Sequence, residues 1–473
     1  MKIKSITKNK ILTASLWNFI GTFLMKVITF VSVPIFTRIL SPEDYGIVST
    51  YTTYISFLGI LIGLSLNTAT ANARIDFADR FNDYNASIIK ASFLIFIAEL
   101  ILGNFFCSLI ETWLSVNRFY LNLIFFIAYA EYIVNTYYKI NTVDFRFKNN
   151  MKISISNALI SVLLSVCFIS IMDNGITAKL MGQGLFLFCI AIILFVNIGF
   201  MKSKNFTISD ISYAKKIALP NIFHQISQVI MSQSDRVIIL NLCDSVTAAK
   251  YSVVYNFGLI MQMVWNAINE VWVPWLYREL YAANNAHIVK ISKIYLYMFT
   301  LVSGIVMLIA PDFMIVLAPV VYLEAKSIIP PIILATYFMF LYSFFANIEI
   351  YNKKNKYIAI STVIAAISNV IGNCILIPLF GYKAAAYTTL FSYILLMILH
   401  YIFLTYLFKL NIYTITMFVF PIIFMLIITI ISFWTLEMML IRYLVVLGIF
   451  LTGGIWGLLK KKYIKEFINS IRR

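Results

Sequence analysis

The sequence predicts an all-α, polytopic membrane protein with about fourteen transmembrane helices, each roughly twenty residues long. Of its 473 residues 61% are hydrophobic and 12% are charged, and the mean hydropathy is +0.89. This balance is far from that of a soluble domain. The apolar residues form continuous runs rather than alternating with polar residues, so we expect helices and not the strands of a porin-like barrel.

Charged residues and Pro or Gly divide the chain into apolar runs long enough to cross about 30 Å of hydrocarbon at 1.5 Å per residue. Six runs lie in the first half, at 11–36, 47–70, 86–110, 119–140, 151–172 and 176–200. Six more lie at 219–241, 251–276, 288–311, 328–350, 357–378 and 383–408, and two further runs lie at 413–434 and 441–459. We therefore predict an N-lobe (1–201), a cytoplasmic connector (202–218), a C-lobe (219–410), and two final helices with a basic tail (411–473).

The distribution of Lys and Arg predicts the orientation, because cytoplasmic loops carry the excess of these residues. With both termini in the cytoplasm, 28 of the 37 Lys and Arg residues lie inside. The outer segments then hold only seven: Arg38, Arg118, Lys179, Lys250, Lys326, Lys383 and Arg442. The net charge of +17 is explained by this bias facing an anionic leaflet, so we expect no nucleic-acid partner.

No motif in the sequence indicates a cofactor or a metal. The five cysteines have neither zinc-ligand nor redox spacing, and the three histidines lack an H-x-H or H-x-x-x-H pattern. The chain also lacks a D-x-D pair and a G-x-x-x-x-G-K phosphate loop. We expect no cofactor, no nucleotide hydrolysis and no enzyme activity.

The two six-helix blocks resemble each other at a separation of 204 residues. Ser41 corresponds to Ser245 and Tyr51 to Tyr255, and in both cases a short loop leads into a helix, as SPEDYGIVSTY and SVTAAKYSVVY show. Such spacing is typical of a parallel repeat about an axis along the membrane normal.

Four segments carry a resemblance to a known family: VPIFTRILSPEDYGIVSTY, DRVIIL, KYSVVY and VWVPWLY. Over roughly residues 10–410 the chain resembles the Wzx-like O-antigen flippases and polysaccharide exporters of the multidrug, oligosaccharidyl-lipid and polysaccharide (MOP) superfamily. The resemblance implies a MATE-like, two-lobed fold and alternating access. It implies as cargo an undecaprenyl-diphosphate-linked oligosaccharide, an O-antigen or capsular repeat unit, in the bacterial inner membrane. Polysaccharide polymerase and glycosyltransferases of the same pathway are the implied partners. Lys250 departs from the family pattern, which has a small residue there.

Polar stripes on two equivalent helices predict a cavity. Ser15, Asn18, Thr22, Lys26, Thr29 and Ser32 follow at steps of three or four in the first helix, as do Asn221, Gln225, Gln228, Ser232 and Asp235 in the seventh, with Arg236 alongside. We predict that Lys26, Arg236, Asn18, Thr22, Gln225 and Gln228 bind substrate. The alternative is that these groups only form hydrogen bonds between packed helices, and that Asp235 and Arg236 stabilise the structure.

Ionisable side chains within apolar runs are costly, by about 2.5 to 3.5 kcal/mol at mid-span, and so mark candidates for ion coupling. These candidates are Asp235, Glu99, Glu131 and Glu270. For each, an interhelical hydrogen bond or solvation at the interface remains open, and Glu349 is expected at the headgroups.

Two other functions remain possible from the residues alone. A multidrug cation exporter would share the fold and would present carboxylates to its ligand. A polytopic polymerase or glycosyltransferase would be expected to carry a long outer catalytic loop or a D-x-D pair, whereas the longest outer segment here, at about 311–327, is short. Lys26 and Arg236 favour an anionic cargo.

Overall fold

The computed structural model describes residues 8–203 and 205–459, apart from the side chains of 8–16, 18–20, 22, 23, 26, 455, 456, 458 and 459. Over these residues the chain is helical and contains no strand. This confirms the predicted all-α class.

Within the described part of the first half there are nine helices, joined by short loops and tighter helical turns. They are α1 (Lys8–Ile39), α2 (Pro42–Leu61), α3 (Thr70–Asp76), α4 (Phe81–Phe105), α5 (Cys107–Leu114), α6 (Arg118–Val143), α7 (Phe147–Ile171), α8 (Gly175–Val196) and α9 (Ile208–Leu242). The segment Ile62–Ala69 connects α2 to α3 as a distorted 3-10 turn, and Asn197–Met201 extends α8 as a π-turn.

From Ser245 to Leu459, where the described residues end, there are seven more helices. They are α10 (Ser245–Tyr281), α11 (Asn285–Leu317), α12 (Ile329–Tyr351), α13 (Asn355–Phe380), α14 (Ala384–Ile402), α15 (Thr416–Trp434) and α16 (Met439–Leu459). A 3-10 segment (Val320–Ile328) leads into α12, and a π-turn (Phe403–Leu407) ends α14.

Helical structure covers every predicted span, and ten of the described helical stretches are long and apolar enough to cross a membrane. The helices outside these ten stretches are α1, the short α5, α9, α10 and α16. In α1 and α16 the apolar parts, Val27–Ile39 and Met439–Gly454, are shorter than a full membrane span. Helix α9 contains the predicted polar stripe. The protein is thus a multi-pass membrane protein, and the number of fourteen spans stays a prediction.

The chain forms two compact units that divide between Ala249 and Lys250. Helix α9 belongs to the first unit, where it packs along α2 and the segment Ile62–Ala69. The predicted lobe limits at 201 and 219 stay a prediction.

In the first unit, α6 packs against α2, α4, α7 and α8. At one end, Tyr51 and Tyr54 donate hydrogen bonds to the carbonyls of Ser115 and Leu114, over 3.2 and 3.1 Å. At the other end, ion pairs join the loops that follow the second, fourth and sixth predicted spans. These pairs are Arg74 with Asp144 at 3.0 Å and Arg80 with the buried Asp210 at 2.7 Å. The loops after the second, fourth and sixth spans therefore lie at the same end of the unit, as the predicted topology requires. That this end faces the cytoplasm stays a prediction.

In the second unit, α12 is the central helix and is almost entirely buried, packing against α11, α13, α14 and α15. At one end Glu324 pairs with Lys250 at 2.5 Å and with Lys383 at 3.8 Å. At the other end Tyr413 and Ser292 share a hydrogen bond of 2.9 Å.

The last two helices are anchored to α11 by a buried ion pair. Arg442, in the first turn of α16, is only 2% exposed and pairs with Asp312 of α11. Its guanidinium also donates to the carbonyl of Thr435 over 2.5 Å, at the C-terminal end of α15. The sequence assigned Arg442 to an outer loop, but it fixes the α15–α16 hairpin instead.

Candidate functional site

The polar stripe of α9 is present, and its burial increases along the helix. Gln225 and Gln228 are half-buried, whereas Asp235 is fully buried and Arg236 is 8% exposed. Part of the stripe forms hydrogen bonds with its own helix, since Ser232 donates to the carbonyl of Gln228 over 2.8 Å. The Arg236 guanidinium lies 3.5 Å from the carbonyl of Ser232. The structure therefore places a buried carboxyl group, Asp235, next in sequence to a buried guanidinium, Arg236, in the first unit. The role of Asp235 in ion coupling and that of Arg236 in substrate binding stay predictions.

The matching stripe on α1 is only partly described. The backbone at Asn18, Thr22 and Lys26 is helical, but these three side chains lie outside the described residues. Further along, Thr29 donates to the carbonyl of Met25 over 2.9 Å and Ser32 to that of Thr29 over 2.7 Å. These two hydroxyls are thus satisfied within their own helix, as is common for such residues.

The second predicted span is broken in its middle, which the sequence did not predict. Gly63, Leu64 and Ser65 adopt left-handed backbone angles, with φ of 65°, 49° and 48°. Left-handed conformation costs an L-residue other than glycine about 1 to 2 kcal/mol. A Cβ on Gly63 would also lie 2.7 Å from the Tyr132 ring and 2.8 Å from the Ser92 Cβ. Glycine is therefore favoured at position 63 for two reasons, the close contact with Tyr132 and Ser92 and the left-handed backbone.

The helix break places Asn67 against a cation of α6. Lys139 donates from Nζ to Asn67 Oδ1 over 2.7 Å, and Asn67 Nδ2 donates to Thr136 Oγ1 over 3.0 Å. Lys139 is half-buried and pairs with no acid of the described chain. Lys139 lies at the end of the fourth predicted span, 119–140, and the sequence did not mark it as a candidate site residue. Nothing in the sequence near Lys139 indicates the helix break at 63–65 that places Asn67 against it.

A second cation lies near the opposite end of the same unit. Lys179, in the second turn of α8, has its Nζ 3.7 Å from the centroid of the Phe36 ring of α1, a cation–π contact. Its Nζ also donates to Ser165 Oγ over 3.4 Å. Lys179 was assigned to an outer loop, but its contacts are with buried groups of α1 and α7 and it forms no ion pair within the described residues.

The predicted ion-coupling carboxylates differ in exposure. Glu99 and Glu131 are half-buried, and Glu270 is exposed. Glu99 Oε2 is buried and has no hydrogen-bond partner among the described residues. Their roles stay predictions, although the exposure of Glu270 agrees better with solvation.

Glu349 was expected at the headgroups, but this expectation is wrong. Its side chain is 0% exposed and lies 2.7 Å from Nδ1 of His400, which is also 0% exposed. The two residues are 51 positions apart, so no sequence spacing indicates the pair.

The described residues hold no group of three or more His, Cys, Asp or Glu side chains that could bind a metal ion. The expectation of no metal and no cofactor stays a prediction. The first unit contains separate cationic and acidic side chains at buried or half-buried positions within apolar helices: Lys139, Lys179, Arg236, Asp235, Glu99 and Glu131. Such side chains are suited to binding charged ligands or ions.

Solved structures of transporters share this fold. The lipid II flippase MurJ, in an inward closed conformation, superposes with a TM-score of 0.69 at 16% identity, covering 95% of this chain and 100% of that chain. A mutant of the Vibrio cholerae MATE transporter VcmN superposes with a TM-score of 0.60 at 12% identity, covering 85% of this chain and 98% of that chain. The MATE multidrug transporter DinF-BH superposes with a TM-score of 0.58 at 12% identity, covering 86% of this chain and 98% of that chain. The predicted MATE-like fold is therefore confirmed.

Sequence comparison identifies the family. No curated protein sequence matches the chain. The family model described as polysaccharide biosynthesis protein matches residues 11–280, which is more than half of the 473 residues. The chain therefore belongs to the polysaccharide biosynthesis protein family.

Proposed function

We propose that the protein is a flippase that moves an undecaprenyl-diphosphate-linked oligosaccharide across the bacterial inner membrane by alternating access. The cargo is an O-antigen or capsular repeat unit, and both termini of the protein lie in the cytoplasm. Membership of the polysaccharide biosynthesis family and a fold shared with a lipid II flippase support a transporter of lipid-linked sugar. The polymerase and glycosyltransferases of the same pathway are the proposed partners.

The observation that carries the proposal is the pair of partly buried cations in the first unit. Lys139 and Lys179 contact an amide, a hydroxyl and an aromatic ring, and neither pairs with a carboxylate of the described chain. A cation removed from water without a counter-ion is costly, and an anionic ligand reduces that cost. A diphosphate supplies several acceptor oxygens for such groups. We propose that Lys139, near one end of the unit, and Lys179, near the other, bind the headgroup at successive stages of its passage. Lys26 and Arg236 act with them, beside Asn18, Thr22, Gln225 and Gln228.

The proposal is tested by measuring translocation of lipid-linked oligosaccharide per folded molecule for Lys139→Gln and Lys179→Gln. Each variant should lower translocation about tenfold, since a hydrogen bond to a charged group contributes about 1.5 to 3 kcal/mol. Lys215→Gln is the matched control, because Lys215 is an exposed cation of the same unit. Equal translocation by all three variants would contradict an anion-binding role for the two lysines.

A cation exporter is the second candidate, and the half-buried Glu99 and Glu131 favour it. Such a protein would extrude a lipophilic cation such as ethidium and would lose that activity in Glu99→Gln or Glu131→Gln. We expect no ethidium export. Export that depends on either carboxylate would replace the flippase proposal.

A further inference from the structure

The central helix of the second unit carries a fully buried acid–base pair that the proposed headgroup site does not use. Glu349 lies near the end of α12 and His400 near the end of α14, each in the last turn of its helix. Glu349 Oε2 and His400 Nδ1 are 2.7 Å apart, and both side chains are 0% exposed. The Tyr342 ring stacks on the imidazole, with centroids 5.3 Å apart and an interplanar angle of 22°.

Each member of the pair keeps one polar atom without a partner. Glu349 Oε1 and His400 Nε2 are buried and form no hydrogen bond with any described residue. A pair that served only to join two helices would leave both atoms unsatisfied at a cost of about 1 to 3 kcal/mol each. The second oxygen and the second ring nitrogen are also the atoms at which a proton can be gained or lost.

The other ionisable groups on the surrounding elements have contacts elsewhere or lie at the surface. On α11, His287 pairs with Glu279 at 2.9 Å. On the α12–α13 loop, Lys354 lies over the Phe408 ring at 4.8 Å. The remaining groups at this end are Lys290, Lys293, Tyr351, Lys353, Lys356, Tyr357, Tyr401, Tyr406, Lys409 and Tyr413, while α15 contains no ionisable residue. The Tyr342 ring is the aromatic group that stacks on the His400 member of the pair.

Burial makes the number of protons on the pair depend on whether water reaches it. With one shared proton, as carboxylate and imidazolium or as carboxylic acid and imidazole, the pair is neutral overall. After that proton leaves, the pair carries one negative charge, which is costly in a closed apolar site. The neutral pair, which holds the proton, therefore favours a closed second unit. The negatively charged pair, which has lost the proton, favours an open unit in which water reaches it.

We propose that Glu349 and His400 form a proton-binding site that couples translocation to the proton gradient. This inference rests on the proposed function, since it specifies the coupling ion of the same transporter. The step makes and breaks only bonds to the proton: water delivers H⁺ to the pair when the site is open to one side, and the pair returns it to water when the site opens to the other.

Proton binding is tested on the purified full-length protein, without a transport assay. The chain has three histidines, so selective ¹⁵N-histidine labelling gives few ring signals, and His400→Gln assigns the signal of His400. We expect the His400 ring to titrate, and Glu349→Gln to weaken its proton affinity at least tenfold, because the carboxylate stabilises the imidazolium. Glu324→Gln, at the other end of the second unit, should leave the titration unchanged. A His400 ring that keeps one protonation state between about pH 5 and pH 9, or that titrates identically in Glu349→Gln, would overturn the proposal.

Coupling is tested in proteoliposomes with a fluorescent lipid-linked oligosaccharide. A pH gradient should accelerate translocation by the unsubstituted protein, and this acceleration should vanish in Glu349→Gln and in the double variant Glu349→Gln/His400→Gln. Both should still equilibrate the lipid without a gradient. The double variant keeps two neutral groups able to form a hydrogen bond and so controls for folding. Acceleration that persists in the double variant would refute coupling. Absence of any translocation by the unsubstituted protein would instead refute the proposed function and leave the titration result standing.

Discussion

Replacing Gly63 by alanine tests whether the break in the second span is built into the fold. At φ of +65° an alanine loses about 1 to 2 kcal/mol relative to an ordinary backbone conformation. Its Cβ would lie within 2.8 Å of both the Tyr132 ring and Ser92, which adds an overpacking cost of about 1 to 3 kcal/mol. Together these predict that the free energy of unfolding falls by about 2 to 5 kcal/mol.

Gly59→Ala is the matched control, four residues earlier in the same span. A Cβ on Gly59 would meet no atom within 4 Å, and alanine is favoured over glycine inside a helix by about 0.5 to 1 kcal/mol. The two substitutions should therefore change stability in opposite directions, as measured by steric trapping in bicelles. Gly63→Ala should also lower translocation per folded molecule, because the break positions Asn67 against Lys139. Equal stability of the two variants would show that the break is not a constraint.

Two further predictions concern anchoring and orientation. Asp312→Asn should destabilise the protein by about 3 to 5 kcal/mol in the same unfolding assay, because it leaves the buried Arg442 guanidinium without its counter-ion; a change within about 0.5 kcal/mol, the range for surface substitutions, would refute the anchoring role. In a cysteine-free background, Lys356→Cys should react with an impermeant maleimide only after cell lysis, whereas Lys383→Cys should react in intact cells. Rapid labelling of Lys356→Cys in intact cells would reverse the predicted topology.

The helical runs were predictable from the sequence because each depends on composition over about twenty residues. The features missed depend on contacts between distant parts of the chain. Nothing in the sequence around Gly63 distinguishes a glycine that breaks a helix from one that only permits close packing, since the φ of Leu64 and Ser65 is visible only in the structure.

Residues near the ends of spans were the least predictable. Lys179 and Arg442 were counted with the outer segments, but each lies within a helix and contacts buried groups. Similarly, Glu349 lies beside a loop, and its burial depends on His400, which follows it by 51 residues. A polar residue near a helix end can reach water or turn inward, and only tertiary packing decides between these outcomes.

We propose above that this protein flips an oligosaccharide linked to an undecaprenyl diphosphate. The most direct test is reconstitution of the purified protein in proteoliposomes that carry this lipid labelled on its glycan, with quenching of the outer-leaflet label read over time. If the protein is such a flippase, the protected inner-leaflet fraction becomes accessible with the unsubstituted protein and with Lys215→Gln, and does so about tenfold more slowly with Lys139→Gln. A protected fraction that stays constant in the presence of folded, unsubstituted protein would contradict the claim.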